Sequence, residues 1–519
     1  MRRIPRRSAL YLLAVFPLIA SEPVDRILQR YATADGPGCA AGVLRDGKLA
    51  YQGAVGTADG ARPLTTETPM YLASVSKQFT AALIYGLVEQ GKLRLDARAG
   101  VRIPELGEVS GKVTVQQLLN HTSGLRDYGA LREVAGKLEP IDNQGVIRVL
   151  GSQRGLNFEP GSDYEYSNSD YVVLAVLAER ASGLTMATLA KKEIFSRHGM
   201  KSAWIQGGGE TAVAPAHGYS VRDGKPHLSE PPPATTGDGG VYASVSDLLR
   251  WMNGIPTLIH VPARLSTGEV LPHASGLFWG RFQGRKTLSH NGSVSGYQAD
   301  VVNFPKERLS VVCLCNRGDV DANSLSRQIA EAYLGTGRTV GKTMHKPAAD
   351  LAGKWQSRQG FVLTTKVEDD KLTATLQGEA HVFSRELGHH ALAGDGLTLR
   401  RRGKDTLELG WEGDRPNRFQ RMPAATRAHD SGEYIGRFVN DELAVAWDLR
   451  VEKGVLVITN AAGWRIPLQQ AVEDRFEVGP WLLDFERKSG QVVGFRLHRE
   501  RLWNLRFERR PGVPNLPGR

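Results

Sequence analysis

The chain has three cysteines in 519 residues, few aromatic residues (7%) and one long apolar run, and each shortage excludes something. Three cysteines cannot build the disulfide framework of a small secreted scaffold, and Cys39, Cys313 and Cys315 lack the spacing of a zinc site. The apolar run, Ser8–Ala20, lies at the N-terminus, which excludes a multi-span membrane protein. Glycine is plentiful at 58 residues but lacks the three-residue period of collagen. With 41% hydrophobic and 23% charged residues, wholesale disorder is excluded and there is material for sizeable cores. A prior of about 150 residues per domain gives three or four domains.

Arg2, Arg3, Arg6 and Arg7 precede the 13-residue apolar run, and Ser21-Glu22-Pro23 follows it. A basic start, a short apolar stretch and a small residue before a turn predict a secretory signal peptide over 1–20 and an exported (periplasmic or secreted) protein without stable membrane insertion. Removing that segment takes four arginines from the formal charge of +11 and leaves +7. Late arginines (Arg496, Arg499, Arg501, Arg506, Arg509, Arg510) fall on alternating-strand sequence and predict a solvated face. Nothing resembles a nucleic-acid motif. Cys313 and Cys315 share one face of a strand, too far apart for easy mutual bonding. Buried free thiols are favoured, with a bridge from Cys39 to one of the pair left open.

Strand pattern over Cys39–Leu44 and Lys48–Val55 flanks the turn Arg45-Asp46-Gly47. Helical periodicity follows at Lys77–Glu89, Val115–Asn120, Tyr171–Ala181 and Val245–Met252, the last opened by a capping-box-like Ser244 and Asp247. Strands return at Lys286–His290, Tyr297–Asn303 and Leu309–Asn316, before a helix at Asn323–Tyr333. Strands at both ends of a largely helical insert predict one antiparallel sheet built from both termini, filling a domain over 21–337. A polar, Gly-rich linker at 338–350 leads to short alternating strands. Leu351-Ala352-Gly353-Lys354-Trp355 is echoed 83 residues on by Tyr434-Ile435-Gly436-Arg437-Phe438, and each opens about eight strands. Two small antiparallel barrels, 351–422 and 430–519, follow.

Three short motifs carry chemistry. Ser74 and Lys77, three apart at a helix start, share a face, so the amine reaches the hydroxyl while the helix N-terminus favours a developing oxyanion. Tyr166 and Asn168 lie in a loop just before the helix at Tyr171, where Tyr166 can relay a proton and Asn168 can bond a substrate amide. His290 and Gly292 end a predicted strand, where a backbone N–H beside a residue without a side chain can approach a carbonyl. Each motif alone is weak. Other features read as structural: His121 as a loop-fixing side chain, Gly207-Gly208-Gly209 as a loop, Pro231-Pro232-Pro233 as a surface crossing.

Taken together, Ser74-x-x-Lys77, Tyr166-x-Asn168 and His290-x-Gly292 resemble the three active-site motifs of the class C β-lactamase and DD-peptidase superfamily. Leu118–Leu125, Phe158-Glu159-Pro160-Gly161 and Gly237-Asp238-Gly239-Gly240 match as well. The resemblance implies an α+β catalytic domain with a five-stranded antiparallel sheet flanked by helices beside a helical region. Ser74-Val75-Ser76-Lys77-Gln78-Phe79-Thr80, the stretch Ser123–Tyr128 and His290 in place of the lysine usual in β-lactamases are closest to D-aminopeptidases, whose two appended domains are lipocalin-like. Gly353-x-Trp355 and Glu433–Phe438 carry that part. The implied roles are Ser74 as nucleophile, Lys77 and Tyr166 in proton transfer with their division open, and His290 on the leaving-group side. Asn168 and Gly292 would contact substrate, and the N–H groups of Ser74 and Ser293 would form the oxyanion hole. No metal or cofactor is implied, and the partner is a small peptide, amide or ester substrate, with a homodimer allowed. In D-aminopeptidases a loop of the last domain shapes the pocket. Its counterpart here, Glu473–Trp481, is short, which predicts an open pocket. The expected function is release of N-terminal D-amino acids from peptides or amides through an acyl-enzyme. The alternatives are an esterase or DD-peptidase of the superfamily, or a binding or sensor protein whose barrels hold a ligand beside a weak catalytic domain.

Overall fold

The computed structural model describes residues 21–33, 35–208, 213–335, 342–343, 349–357, 361–368, 371–376, 379–383, 385–386, 391–394, 397–411, 416–422, 431–479 and 481–510. The expected signal segment, most of the linker and Gly209 of the glycine triplet lie outside the described residues.

Eight antiparallel strands make the first sheet: β1 (Cys39–Arg45), β2 (Lys48–Val55), β3 (Pro262–Arg264), β4 (Val270–Ala274), β5 (Leu277–Phe282), β6 (Arg285–Val294), β7 (Tyr297–Phe304) and β8 (Leu309–Cys315). Their order is β2-β1-β8-β7-β6-β5-β4-β3, so the N-terminal hairpin does pair with the C-terminal strands. The five strands of seven or more residues form the contiguous block β2-β1-β8-β7-β6. Three shorter strands extend it beyond the five expected, because His260–Phe282 continues the hairpin pattern past β6.

Both faces of this sheet are covered, and β8 is buried at every position, as a two-sided strand must be. On one face lies α5 (Val245–Met252), and α2 (Lys77–Glu89) and α4 (Asn168–Ser182), packed on each other, share the same core. Helix α5 starts with the expected capping box of Ser244 and Asp247. It approaches β1 closely because Gly42 has no side chain: a Cβ there would lie 2.7 Å from Leu249 Cδ1 and Val245 Cγ1. The other face carries α1 (Ser21–Gln29) and α6 (Ala322–Leu334), packed on Val43, Val302, Val311 and the three cysteines. There Cys39 and Cys315, direct partners in the β1–β8 register, are joined by a disulfide, and Cys313 remains a buried free thiol. The favoured expectation of three free thiols therefore holds for Cys313 alone: antiparallel pairing sets Cys39 opposite Cys315.

Beyond residue 341 two further antiparallel sheets of ten and nine strands each bring their first and last long strands together: Gly353–Ser357 pairs with Asn417–Arg421, and Gly436–Asn440 with Leu502–Arg510. Among the described residues each barrel has nine strands of its own from Gly353 or Gly436 onward, in line with the eight or so expected, and Lys342–Thr343, placed in the linker by sequence, pairs with Arg385–Glu386 of the first barrel. The internal echo has a physical basis. In each barrel an arginine of the closing strand (Arg421, Arg509) lies against the glycine of the opening strand (Gly353, Gly436), and Arg421 also stacks on Trp355 at 3.9 Å. The second barrel is filled by Trp447, Trp481, Phe485, Phe495 and Phe507, and its core is continued by Leu131 and Val134 of α3 (Tyr128–Val134) in the first domain. No single described helix is long and apolar enough to cross a membrane.

Candidate active site

Ser74 lies in a 3₁₀ turn, Ala73–Ser76, that runs directly into α2. Ala73, just before it, is held at φ +47°, a left-handed conformation costly for a residue with a Cβ, so the turn is over-determined by its surroundings. Those surroundings include Gly292: a Cβ there would fall 2.3 Å from Leu72 O and 2.9 Å from Ser74 N, so only glycine lets β6 lie against the serine turn. The third motif does not end a strand as expected. Strand β6 continues to Val294, with His290 to Ser293 in register with Val301 to Gln298 of β7. Its other edge pairs with β5 only as far as Ser289, which leaves His290–Ser293 facing Ser74.

Lys77 is fully buried, and its Nζ donates to Ser74 Oγ at 3.1 Å, Asn168 Oδ1 at 2.8 Å and the Asp238 carbonyl at 2.8 Å. The three donors of an ammonium are thus all used. The Gly237–Gly240 turn supplies the Asp238 carbonyl, and glycines are required there: a Cβ on Gly237 would meet Tyr171 O at 2.3 Å, and one on Gly239 would meet Tyr71 Oη at 2.5 Å. Asn168 opens α4 rather than preceding it, and its N–H donates to Asp127 Oδ2 at 2.8 Å. The Tyr166 ring lies 4.9 Å from Lys77 Nζ, and among the described residues its buried Oη has no hydrogen-bond partner.

His290 stands 6.1 Å from the Tyr166 ring, centroid to centroid. Its Nδ1 is 2.6 Å from the Asn291 carbonyl, which can only accept, so Nδ1 carries the proton and Nε2 is a bare acceptor. Burial, then the charge of Lys77, pushes its pKa down to about 3, so the ring is neutral at physiological pH. Behind Tyr166 lies His121, a residue read from sequence as fixing a loop. Its ring packs at a tilt against Tyr166 at 4.5 Å and against His273 at 4.7 Å, centroid to centroid, and its Nδ1 is 3.0 Å from Asp170 Oδ2, while the other oxygen of Asp170 accepts from Ser123 Oγ at 2.5 Å. It too is held at positive φ, +55°.

Arg501, His273, Glu165, Asp127 and Asp170 belong to the neighbourhood without having been singled out by sequence. Arg501 sits in the Arg499–Leu502 hairpin of the second barrel, with its guanidinium 4.8 Å from the Tyr166 ring. Its carbonyl accepts from Asp127 N and Asn157 Nδ2, both at 3.1 Å, and its N–H donates to Glu165 Oε1 at 3.1 Å. The expectation of a solvated face for the late arginines fails for this one, which turns inward, while the half-exposed Arg496 and Arg506 pair with Glu486. Asp474 of the Glu473–Trp481 stretch bonds Tyr434 and Arg487 within its own barrel, and it is the 499–502 hairpin that reaches Tyr166. A cleft of ≈ 810 Å³ runs from Tyr166 past Glu500 to Gln356, Arg418 and Arg421 of the first barrel. Among the described residues no group of three or more His, Cys, Asp or Glu is arranged to hold a metal ion.

A serine bonded to a buried lysine, beside a tyrosine and a strand edge, is the arrangement of an acylating hydrolase, and comparison with known proteins agrees. The Beta-lactamase family profile matches residues 24–334. The chain belongs to that family. It is 28% identical to the D-aminopeptidase of Gluconobacter oxydans over 508 residues, covering 89% of this chain and 94% of that protein. It is 27% identical to the D-aminopeptidase of Brucella anthropi over 522 residues, with 93% and 96% covered. Among solved structures, SurE superposes with a TM-score of 0.53 at 20% identity, covering 78% of this chain and 98% of that one. The octameric penicillin-binding protein homologue from Pyrococcus abyssi gives 0.52 at 21%, with 77% and 99% covered. These structures establish the fold. As a member of this family with a Ser–Lys–Tyr site, the protein is a serine hydrolase.

Proposed function

We propose that this serine hydrolase removes N-terminal D-amino acids from peptides or amides, with Ser74 as the acylated residue. The carrying observation is that Lys77 spends all three donors on Ser74, Asn168 and Asp238, while the neutral His290 keeps an Nε2 acceptor that has no partner among the described residues. A free α-amino group on the substrate is a donor and finds an acceptor there. The D-aminopeptidases that match over nearly the whole chain support the same substrate class.

Ser74 Oγ attacks the amide carbonyl and gives up its proton to the Lys77–Tyr166 pair, which takes it in the state one proton short of ammonium plus phenol, as a neutral amine or a phenolate. The N–H groups of Ser74 and Ser293 hold the oxyanion, and losing one such donor costs about 10²–10³ in rate. As the C–N bond breaks, Tyr166 protonates the departing nitrogen, and an ester on Ser74 remains. Water then cleaves that ester and returns a proton to the serine. Asn168 orients the substrate amide, His290 and Gly292 line the cleft. Export from the cytoplasm fits this reading, because the Cys39–Cys315 disulfide belongs to an oxidising compartment. The test is a fluorophosphonate probe together with D- and L-alanine anilides. Labelling of wild type but not of Ser74→Ala, with turnover confined to the D-anilide, is expected. Equal labelling of the variant, or preference for the L-anilide, overturns the reading.

A further inference from the structure

The cations around the site differ in what they have left to give. Lys77 has no free donor, and His290 is neutral. Arg501 is the exception: its Nε pairs with Glu500 Oε1 at 3.1 Å, and among the described residues its two terminal NH₂ groups have no hydrogen-bond partner. This arginine is also built in. Its backbone is held at φ +65°, a strained value for a non-glycine, by the contacts to Asp127, Asn157 and Glu165, and Trp503 N donates to Asn157 Oδ1 at 2.8 Å to complete the clamp. A strained, four-point clamp on a hairpin reaching from another domain is more than packing a surface arginine requires.

We propose that Arg501 receives the free carboxylate of the leaving amino acid, so that the preferred substrate is a dipeptide with an N-terminal D-residue and an unblocked C-terminus. This rests on the reading of the site as a D-amino-acid amidase. The departing nitrogen lies at Tyr166, which protonates it, and in an amino acid the carboxylate carbon is only about 2.5 Å from that nitrogen. A guanidinium stacked on the same tyrosine is within reach, and its end-on fork matches a carboxylate with two parallel hydrogen bonds. The nearby acids do not cancel it. The Glu165 carboxyl has its pKa pushed up to about 8 by burial, then by Glu500, and is mostly protonated at neutral pH. Glu500 is half exposed and meets Arg501 from the Nε side. The Asp127 carboxylate attracts the Arg501 charge, but its oxygens accept the backbone N–H groups of Asn168, Gly129 and Ala130, and among the described residues it makes no hydrogen bond to the guanidinium. An anilide or a simple amide has no carboxylate to offer and forgoes this contact.

The experiment measures kcat/KM for D-alanyl-D-alanine and for its C-terminal amide, with wild type, Arg501→Met and Arg501→Lys. Wild type is expected to favour the free dipeptide at least tenfold. Arg501→Met, which keeps a side chain over Tyr166 but no fork, should lower the dipeptide value about 10- to 100-fold and the amide value less than about threefold. Arg501→Lys should fall between. Equal wild-type rates on the two substrates overturn the proposal without any variant. An equal drop on both in Arg501→Met also overturns it, since the arginine would then act through Tyr166 or the hairpin alone. Fluorophosphonate labelling of Ser74 reports whether each variant is folded. Wild type that labels but cleaves neither D-substrate defeats the amidase reading itself, a different outcome from cleaving both alike.

Discussion

The carboxyl of Glu165 accepts the Arg501 N–H at 3.1 Å while burial, and next Glu500, raise its pKa from 4.5 to about 8. A carboxyl raised on folding stabilises fully below its unfolded value near 4.5, and that contribution is lost as pH rises to about 8. Glu165→Gln keeps the acceptor oxygen and cannot ionise. Its melting temperature relative to wild type should therefore climb between pH 5 and 8, and thermal scans across that range check it. A difference that is flat with pH, or that falls, shows that Glu165 is ionised in the folded protein throughout. Residue identity alone could not have exposed this pair. Ser74, Lys77, Tyr166, Asn168 and His290 were readable because local spacing carries them. Arg501 is one of six late arginines with the same alternation, and its place depends on contacts to Asp127 and Asn157, which lie more than 340 residues away in sequence. The one available hint was Trp503, a large aromatic beside a hairpin turn.

Among elements, the agreement between sequence and structure is closest where local chemistry decides. Val245–Met252 has the predicted ends because Ser244 and Asp247 cap each other's backbone. Strand β6 runs past the expected end at His290 because pairing with β7 and contact with the serine turn, neither of them local in sequence, hold Asn291–Val294 extended. The Cys39–Cys315 bond is not legible in the sequence because strand register between two distant segments is a tertiary fact. It ties β1 to β8 across 276 residues of sequence. Chain-entropy arguments give a loop of that size about 5 kcal/mol of stabilisation at most, model-dependent and lowered by structure left in the unfolded chain. Cys315→Ser should lower the midpoint of denaturant unfolding for the first domain, with a spectroscopic baseline unchanged at zero denaturant. Mass spectrometry of the protein purified without reductant should find one disulfide and a Cys313 that resists alkylation until denaturant is added. An unchanged midpoint would show that the sheet alone holds the hairpin.

At the scale of the whole molecule, the second barrel and the catalytic machinery share one dipeptide. Arg126 donates to Glu442 Oε2 at 2.8 Å, to Gln153 Oε1 at 3.0 Å and to the Asn504 carbonyl at 3.1 Å, with its side chain only 4% exposed. Asp127 accepts the Asn168 N–H and donates its own N–H to Arg501. The Arg126 carbonyl accepts from Ser169 Oγ at 2.8 Å, and Tyr128 Oη donates to Asp238 Oδ2 at 3.0 Å, beside the carbonyl that holds Lys77. Barrel docking and the positions of Asn168 and Lys77 are therefore set by the same turn. Removing one partner of a buried pair costs about 3–5 kcal/mol, since the other charge stays behind unmatched. Glu442→Gln should lose a share of that cost because Gln retains an acceptor, and Glu442→Leu should lose most of it. The barrel's own core, from Tyr434 to Phe507, does not include Glu442, so the damage falls on docking. Limited proteolysis should cut Glu442→Leu between the first domain and the second barrel faster than wild type, and kcat/KM should drop at least tenfold as Arg501 and Asn168 lose their common support. Fast cleavage with undiminished activity would mean that the barrel covers the site without organising it. Slow cleavage with full activity would mean that the apolar contacts of Leu131 and Val134 suffice to hold the barrel in place.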